Sequence, residues 1–409
     1  MQVCVVDSKK IELSKSLLAE DYNLSGIDSE LTTGVVALNS EMQVLPLISH
    51  YLTRELANNH ISVATARTYG KNLNYLLAYL KTLRSLKYEQ LDQAFLSVQK
   101  HHIQEYLAYL KMEVGLSSKT IRNRDASYKA FFDRYLCTTF SNQDELRVDN
   151  PYDDGLLSGV PTSSLVEMCQ LNELISLINN TDSERERCLI QFMYDSGLRR
   201  SEVPRITKAH IDKAYNTDRK SFIADDKTIL VPSKYKLLFI PGSKGRNREI
   251  KPRYTLVSES TLIRVKKYHA TPLYKKNSRK FGEDKPAFLN AHGRAFTSSS
   301  VSKLFERVSR RALKNRHIES AIPPHKLRHG FAGSFLRSPD IGDNDVDRLV
   351  ALQRCLGHSK LSTTEVYTSV PYDILGNLMD SKGEKKFRHQ IMESVAVQTK
   401  KAIKLGDKK

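Results

Sequence analysis

Residues 141 to 164 read SNQDELRVDNPYDDGLLSGVPTSS, a stretch dense in Asp, Asn, Pro, Gly and Ser and without apolar periodicity. Such a run supplies no buried face for a helix or strand, so it divides the chain into two bodies that each need a core. Upstream, apolar residues recur with a helical period: Leu73, Leu76, Leu77 and Leu80, then Ile103, Tyr106, Leu107 and Leu110, then Tyr128, Phe131, Phe132 and Tyr135. Each set falls at i, i+3, i+4 and i+7, the stripe of an amphipathic helix. Downstream, helical patterns at 170 to 180 and 184 to 195 give way to the strand-like runs TILVP and KLLFIPG, and helical segments resume from 259. The fold class predicted is mainly α with a small β-sheet, the second domain being α+β. The division predicted is an acidic N-terminal extension (1–43), a helical domain (44–148), a linker (149–164), a second domain (165–370) and a basic C-terminal tail (371–409), with a helix near 385 to 404.

The 409 residues carry a net charge of +18, unevenly spread. Residues 1 to 43 hold three lysines against seven acidic side chains, so the positive excess lies downstream, mainly beyond residue 150. A surplus of this size points to a polyanionic partner, above all nucleic acid. The sequence has no apolar stretch of 18 residues, and MQVCVVDSKK has no signal-peptide pattern; a soluble, cytoplasmic protein with no membrane partner is expected. Cys4, Cys137, Cys169, Cys188 and Cys355 are scattered without a C-x-x-C pair, which argues for reduced thiols and against a zinc site.

Four short stretches concentrate polar chemistry. In SGLRRSE (196–202), Gly197 is suited to end one helix, and a second helix is predicted to begin at about Arg199, where a guanidinium at an element end can grip an anion bidentately. In PPHKLRHG (323–330), two prolines precede a helix that places His325 and Arg328 on one face with His329 beside them. In KLLFIPGSKGRNREI (236–250), a strand, a Gly-Ser-Lys-Gly turn and a second strand form a hairpin with Lys244 at its tip. In LGHSKLSTTEVYT (356–368), the S-x-x-E spacing from Ser362 to Glu365 predicts a helix from about Thr363 with Tyr367 in its second turn, and His358 at the turn before it.

Taken in order, Arg, Lys, His-x-x-Arg, His and Tyr resemble the tyrosine recombinase (phage integrase) family. The resemblance runs from about residue 44 to 370, because SSKTIRNRDASYKAFF also resembles the family's helical core-binding domain. It implies a two-domain clamp around duplex DNA. It also implies that Tyr367 attacks a scissile phosphate to form a 3′-phosphotyrosine, that Arg199 and Arg328 hold the non-bridging oxygens, and that His325 and His358 assist there or accept the tyrosine proton. Lys244 would protonate the leaving 5′-oxygen, with Lys234 and Lys236 the next candidates, while Glu202 and His329 support. A phenol of pKa about 10 needs such help at neutral pH. No paired carboxylates that would hold magnesium are evident, which fits a reaction with no metal and no cofactor.

Lys119, Arg122 and Lys129 share a helix face away from the apolar stripe and are candidate DNA-phosphate contacts. The resemblance further implies a homotetramer on DNA, nucleoid association, and integration, excision or resolution of a mobile element. The tail is expected to dock on a neighbouring subunit. A type IB topoisomerase and a non-catalytic DNA-binding regulator are the alternatives. Two departures stand out: Pro204 soon after Glu202 should shorten or bend the helix there, and RSPDIGDNDVDR lengthens the connection between Arg328 and His358.

Overall fold

A computed structural model describes residues 2–7, 33–139, 144–162, 166–218, 221–224, 227–242, 251–342, 344–358, 362–365, 367 and 387–400. The chain divides into two compact units, Met1–Ser163 and Ser164–Lys409.

In the first unit, β1 (Gln2–Asp7) pairs antiparallel with β2 (Thr33–Leu38). The helices α1 (Pro46–Ala57), α2 (Val63–Leu80), α3 (Ala94–Ser97), α4 (Lys100–Met112) and α5 (Ser118–Phe131) follow, and α5 continues into a π-turn at Phe132–Leu136. Ser62 and Ser117 cap α2 and α5 by accepting from the backbone N–H groups of Thr65 and Thr120. All three apolar stripes read from the sequence are buried and meet in one core. Helix α1 was not legible there, although Ile48, Tyr51, Leu52 and Leu56 are fully buried along it.

Within residues 1 to 43, the described strand β2 packs on α1. Val35 and Ala37 are fully buried, and their N–H groups donate to Thr53 Oγ1 and Ser49 Oγ on α1, both at 3.0 Å. The segment's acidic charge conceals a short apolar strand, and strand burial follows from period-two alternation rather than net charge. The predicted linker is also held. Tyr152 is fully buried and donates to Asp125 Oδ1 at 2.8 Å, and Ser158 donates through N and Oγ to Asp125 Oδ2, each at 2.7 Å. Two of the three candidate phosphate contacts are drawn into this packing: Arg122 donates to the Ser158 carbonyl at 2.7 Å, and Lys129 pairs with Asp133 at 2.6 Å. Lys119 is exposed.

The second unit contains α6 (Leu171–Asn179), α7 (Glu184–Ser196) and α8 (Lys208–Asn216), then the hairpins β3 (Ser221–Ala224) with β4 (Lys227–Leu230) and β5 (Tyr235–Ile240) with β6 (Arg253–Ser258). Next come α9 (Glu259–Ala270), α10 (Pro272–Ser278), α11 (Ser298–Lys314), α12 (Pro324–Leu336), α13 (Asp345–Leu356), α14 (Ser362–Glu365) and α15 (Arg388–Gln398). The strands thus form separate two-stranded sheets. Helix α7 is buried from Glu186 to Ser196 and packs against α9 and α12. Among the described residues, no helix is long and apolar enough to cross a membrane.

The tail helix α15 is seated on its own unit, whereas the sequence pointed to a neighbouring subunit. Ile391, Met392 and Val395 join the main core. Fully buried Arg388 pairs with Asp195 Oδ1 at 2.5 Å, and the Met392 carbonyl accepts from Gln191 Nε2 at 2.9 Å. Arg187 Nη1 donates to the carbonyl of Thr399 at 2.6 Å, satisfying the helix C-terminus. The lysines that dominate the tail's composition flank the segment: Arg388–Gln398 contains none.

Candidate active site

Helix α7 stops at Gly197, which has φ +62°, and a Cβ there would stand 2.6 Å from Phe331 Cδ1. Only glycine meets both demands. No α-helix begins at Arg199 as predicted. Because Pro204 lacks an N–H, the chain turns instead into a single 3₁₀ turn, Val203–Arg205. The turn brings Glu202, fully buried, back onto Arg199: Arg199 N and Nη1 donate to its carboxylate oxygens at 2.8 and 3.1 Å.

Helix α12 begins with Pro324 in its first turn and carries His325, Arg328 and His329. Arg328 is 1% exposed; it donates to the carbonyls of Gly197 at 2.7 Å and Leu356 at 2.5 Å, and its Nη2 lies 3.3 Å from His358 Nε2. The His325 and His329 rings are 4.3 Å apart, edge to face. Helix α13 ends at Gly357, with φ +65°, which releases His358 into the site, where His358 Nδ1 bonds Thr364 Oγ1 on α14 at 2.9 Å. Among the described residues α14 is a single turn, and Tyr367 follows it rather than lying in a second turn; its N–H donates to the Thr364 carbonyl at 3.0 Å. Tyr367 Oη is 2.9 Å from His329 Nδ1, and its ring stacks on that of His358 at 6.5 Å. Residues from three of the four motifs thus converge, and it is His329 that stands at hydrogen-bonding distance from the Tyr367 hydroxyl.

One contributor escaped the sequence reading. Arg253, at the start of β6, donates to both oxygens of Glu202 at 2.8 and 3.4 Å, to the Gly197 carbonyl at 3.4 Å and to the Cys355 carbonyl. The only signal was an arginine opening the strand RYTLVS, and that is ambiguous by itself. Thr364, too, gave no sign of orienting His358.

Three guanidiniums therefore surround one carboxylate and the C-termini of α7 and α13. Since each helix C-terminus contributes about half a negative charge, the cluster keeps a surplus of about one positive charge. The electrostatics record it. Burial would raise the Glu202 carboxyl, yet Arg253, the Arg199 N–H and Arg328 outweigh burial and hold it below its usual value. Burial, with Arg253 and Arg199, pushes Arg328 down to about 9. Burial with nearby His325 and Arg328 pushes His329 down to about 4, and burial with the three arginines does the same to His358, so both imidazoles are neutral at pH 7. Burial raises the Tyr367 phenol, with Arg328 and Arg199 opposing. An anion docked here would relieve the crowded positive charge.

A cavity of about 340 Å³ opens beside this cluster, lined by Arg199, Arg200, Ser201, Pro323, Pro324 and His325. Arg328 lies deeper. Lys244 lies outside the described residues, while the strands β5 and β6 that lead to it pair in register from Tyr235↔Ser258 to Ile240↔Arg253. Of the two reserve lysines, Lys236 pairs with Asp218.

A family model, the phage integrase family, matches residues 165–373. The chain is 25% identical over 331 residues to tyrosine recombinase XerD of Listeria innocua, spanning 79% of this chain and 94% of that protein. To tyrosine recombinase XerC of Alcanivorax borkumensis it is 27% identical over 343 residues, spanning 82% and 93%. Its fold is similar to that of the XerH site-specific recombinase bound to a palindromic difH substrate after cleavage, with a TM-score of 0.53, 17% identity, and coverage of 78% of this chain and 84% of that one. It is likewise similar to the Tn1549 transposon integrase in complex with circular-intermediate DNA, with a TM-score of 0.53, 20% identity, and coverage of 78% and 94%. The chain therefore belongs to the phage integrase family and is a tyrosine site-specific recombinase.

Proposed function

We propose that this recombinase breaks and rejoins duplex DNA through a 3′-phosphotyrosine formed on Tyr367, working as a homotetramer to integrate, excise or resolve a mobile element. The observation that carries the reading is the hydrogen bond between the Tyr367 hydroxyl and a neutral imidazole, beside three converging arginines with uncompensated charge. The Tyr367 oxygen attacks phosphorus while its proton passes to His329. The bond to the 5′-oxygen breaks, and Lys244 supplies the proton that this oxygen needs. Arg199 and Arg328 bind the non-bridging oxygens, where negative charge grows in the transition state, and His325 and His358 add hydrogen bonds. The phosphotyrosine conserves the bond energy, so a 5′-hydroxyl of another strand can reverse the step without ATP. XerH and the Tn1549 integrase were each captured on DNA, which supports duplex DNA as the partner.

The test uses a pool of duplexes with one 5′-bridging phosphorothiolate flanked by randomised arms. Attack releases a thiol that religates poorly, so the protein stays on the DNA and the sequenced adducts report the site. Wild type should form the adduct. Tyr367→Phe should form none while its duplex Kd stays within about threefold, since one hydroxyl is lost among many phosphate contacts. Adduct on the variant would overturn the reading by moving the nucleophile to another residue, and no adduct on wild type after selection would overturn it and leave a DNA-binding regulator.

A further inference from the structure

Arg253 is 8% exposed, and its fork reaches four acceptors on three separate segments: both Glu202 oxygens, the Gly197 carbonyl ending α7 and the Cys355 carbonyl at the end of α13. The same two helix ends hold Arg328 through Gly197 and Leu356, and Leu356 also accepts from Arg199 Nη2 at 3.4 Å. The packing is close enough that a Cβ on Gly357 would stand 2.7 Å from Arg253 Cδ. We propose that Arg253 is a positioning residue for strand cleavage, which holds Glu202 and the ends of α7 and α13 so that Arg199 and Arg328 form the phosphate clamp. The inference rests on the strand-cleavage reading above.

The argument turns on what a stabilising residue would look like here. A buried ion pair adds little net stability compared with well-packed apolar groups, and placing a third guanidinium beside two others is electrostatically unfavourable. What arginine supplies is a rigid planar fork with fixed directions, which neither lysine nor an apolar residue reproduces. Without Arg253, Glu202 would face Arg199 as a neutralising pair, and the surplus charge that attracts a phosphate would vanish. With it, the carboxylate is shared, and Arg199, its side chain 28% exposed, lines the cavity.

The test measures single-turnover cleavage and duplex Kd on the phosphorothiolate duplex selected by wild type, well below the unfolding temperature of each variant. Arg253→Gln should slow cleavage at saturating duplex by about tenfold or more while Kd moves by less than about twofold. Arg253→Lys should recover part of the rate. Because Glu202 and Arg253 act as one unit, Glu202→Gln added to Arg253→Gln should cost much less than the product of the two single losses. Wild-type cleavage in a folded Arg253→Gln protein, equal losses in Kd and rate, or fully multiplicative double losses would each overturn the proposal. If Arg253→Gln does not fold, the Arg253→Lys comparison of rate with Kd decides alone. Failure of wild type to cleave sinks the strand-cleavage reading instead, so the two failures are distinguishable.

Discussion

His329 Nδ1 stands 2.9 Å from Tyr367 Oη, and burial among His325 and Arg328 keeps that imidazole neutral, with its pKa pushed down to about 4. A neutral ring nitrogen at this distance can accept the phenol's hydrogen bond, and the negative charge of a docked phosphate would raise its basicity from this depressed value. His329→Ala should therefore slow cleavage at saturating duplex by about 10²-fold, the usual range for a positioned base, with little change in Kd. His325→Ala should cost less at the first proton transfer. Single-turnover rates of the two variants decide; a faster His329→Ala than His325→Ala would move the acceptor role to His325.

Lys244 falls between β5 and β6 in the sequence, outside the described residues, and its role rests on sequence position alone. If it protonates the leaving oxygen, Lys244→Ala should be inactive on ordinary duplex yet cleave the 5′-phosphorothiolate duplex near the wild-type rate, because a thiolate leaves without a proton. Arg199→Ala should not recover on that substrate. No recovery for Lys244→Ala would redirect attention to Lys234.

The buried histidines make stability acid-sensitive. His269, His329 and His358 each sit at about 4, in every case first because of burial, which for His269 outweighs the opposing hydrogen bond to the Ala287 carbonyl at 2.8 Å. Their folded-state pKa values lie below the unfolded value of about 6.5, so the unfolded chain binds more protons between those limits. The folded state should be most stable above about pH 6.5 and lose stability as pH falls towards 4. Thermal melts between pH 7.5 and 4.5 should show this fall, and His269→Gln should make it shallower. An unchanged slope in that variant would refute its contribution.

The seat of α15 on its own unit makes a clear forecast for the free protein. Met392 is fully buried there, so Met392→Ala should destabilise the second unit by about 2–4 kcal/mol, read as a lower denaturation midpoint. A tail helix that docked only on a neighbouring subunit would leave the monomer's midpoint where it was.

The local signals survived translation into structure because they depend on neighbours along the chain. The spacing of Leu73, Leu76, Leu77 and Leu80 gave a buried helix face, Gly197 and Gly357 ended helices as their freedom to take positive φ required, and Pro204 broke the helix expected after Arg199. The ordered motifs SGLRRSE, the GSKG hairpin, HKLRHG and LGHSKLSTTEVYT carried the resemblance to the family. Contacts between distant segments were not legible, since no spacing rule links residues that meet only once the cores pack. Arg253 reaches Glu202 across 51 residues, and His329 meets Tyr367 across 38. Nor could charge composition reveal that β2 and α15 are buried, because burial is decided by which apolar side chains find a surface, here Val35 and Ala37 against α1, and Ile391, Met392 and Val395 in the core of the second unit. The amino-acid order determined which side chains were available to the site; the tertiary structure decided that His329 meets Tyr367 and that Arg253 meets Glu202, because both contacts depend on where distant helix ends come to rest.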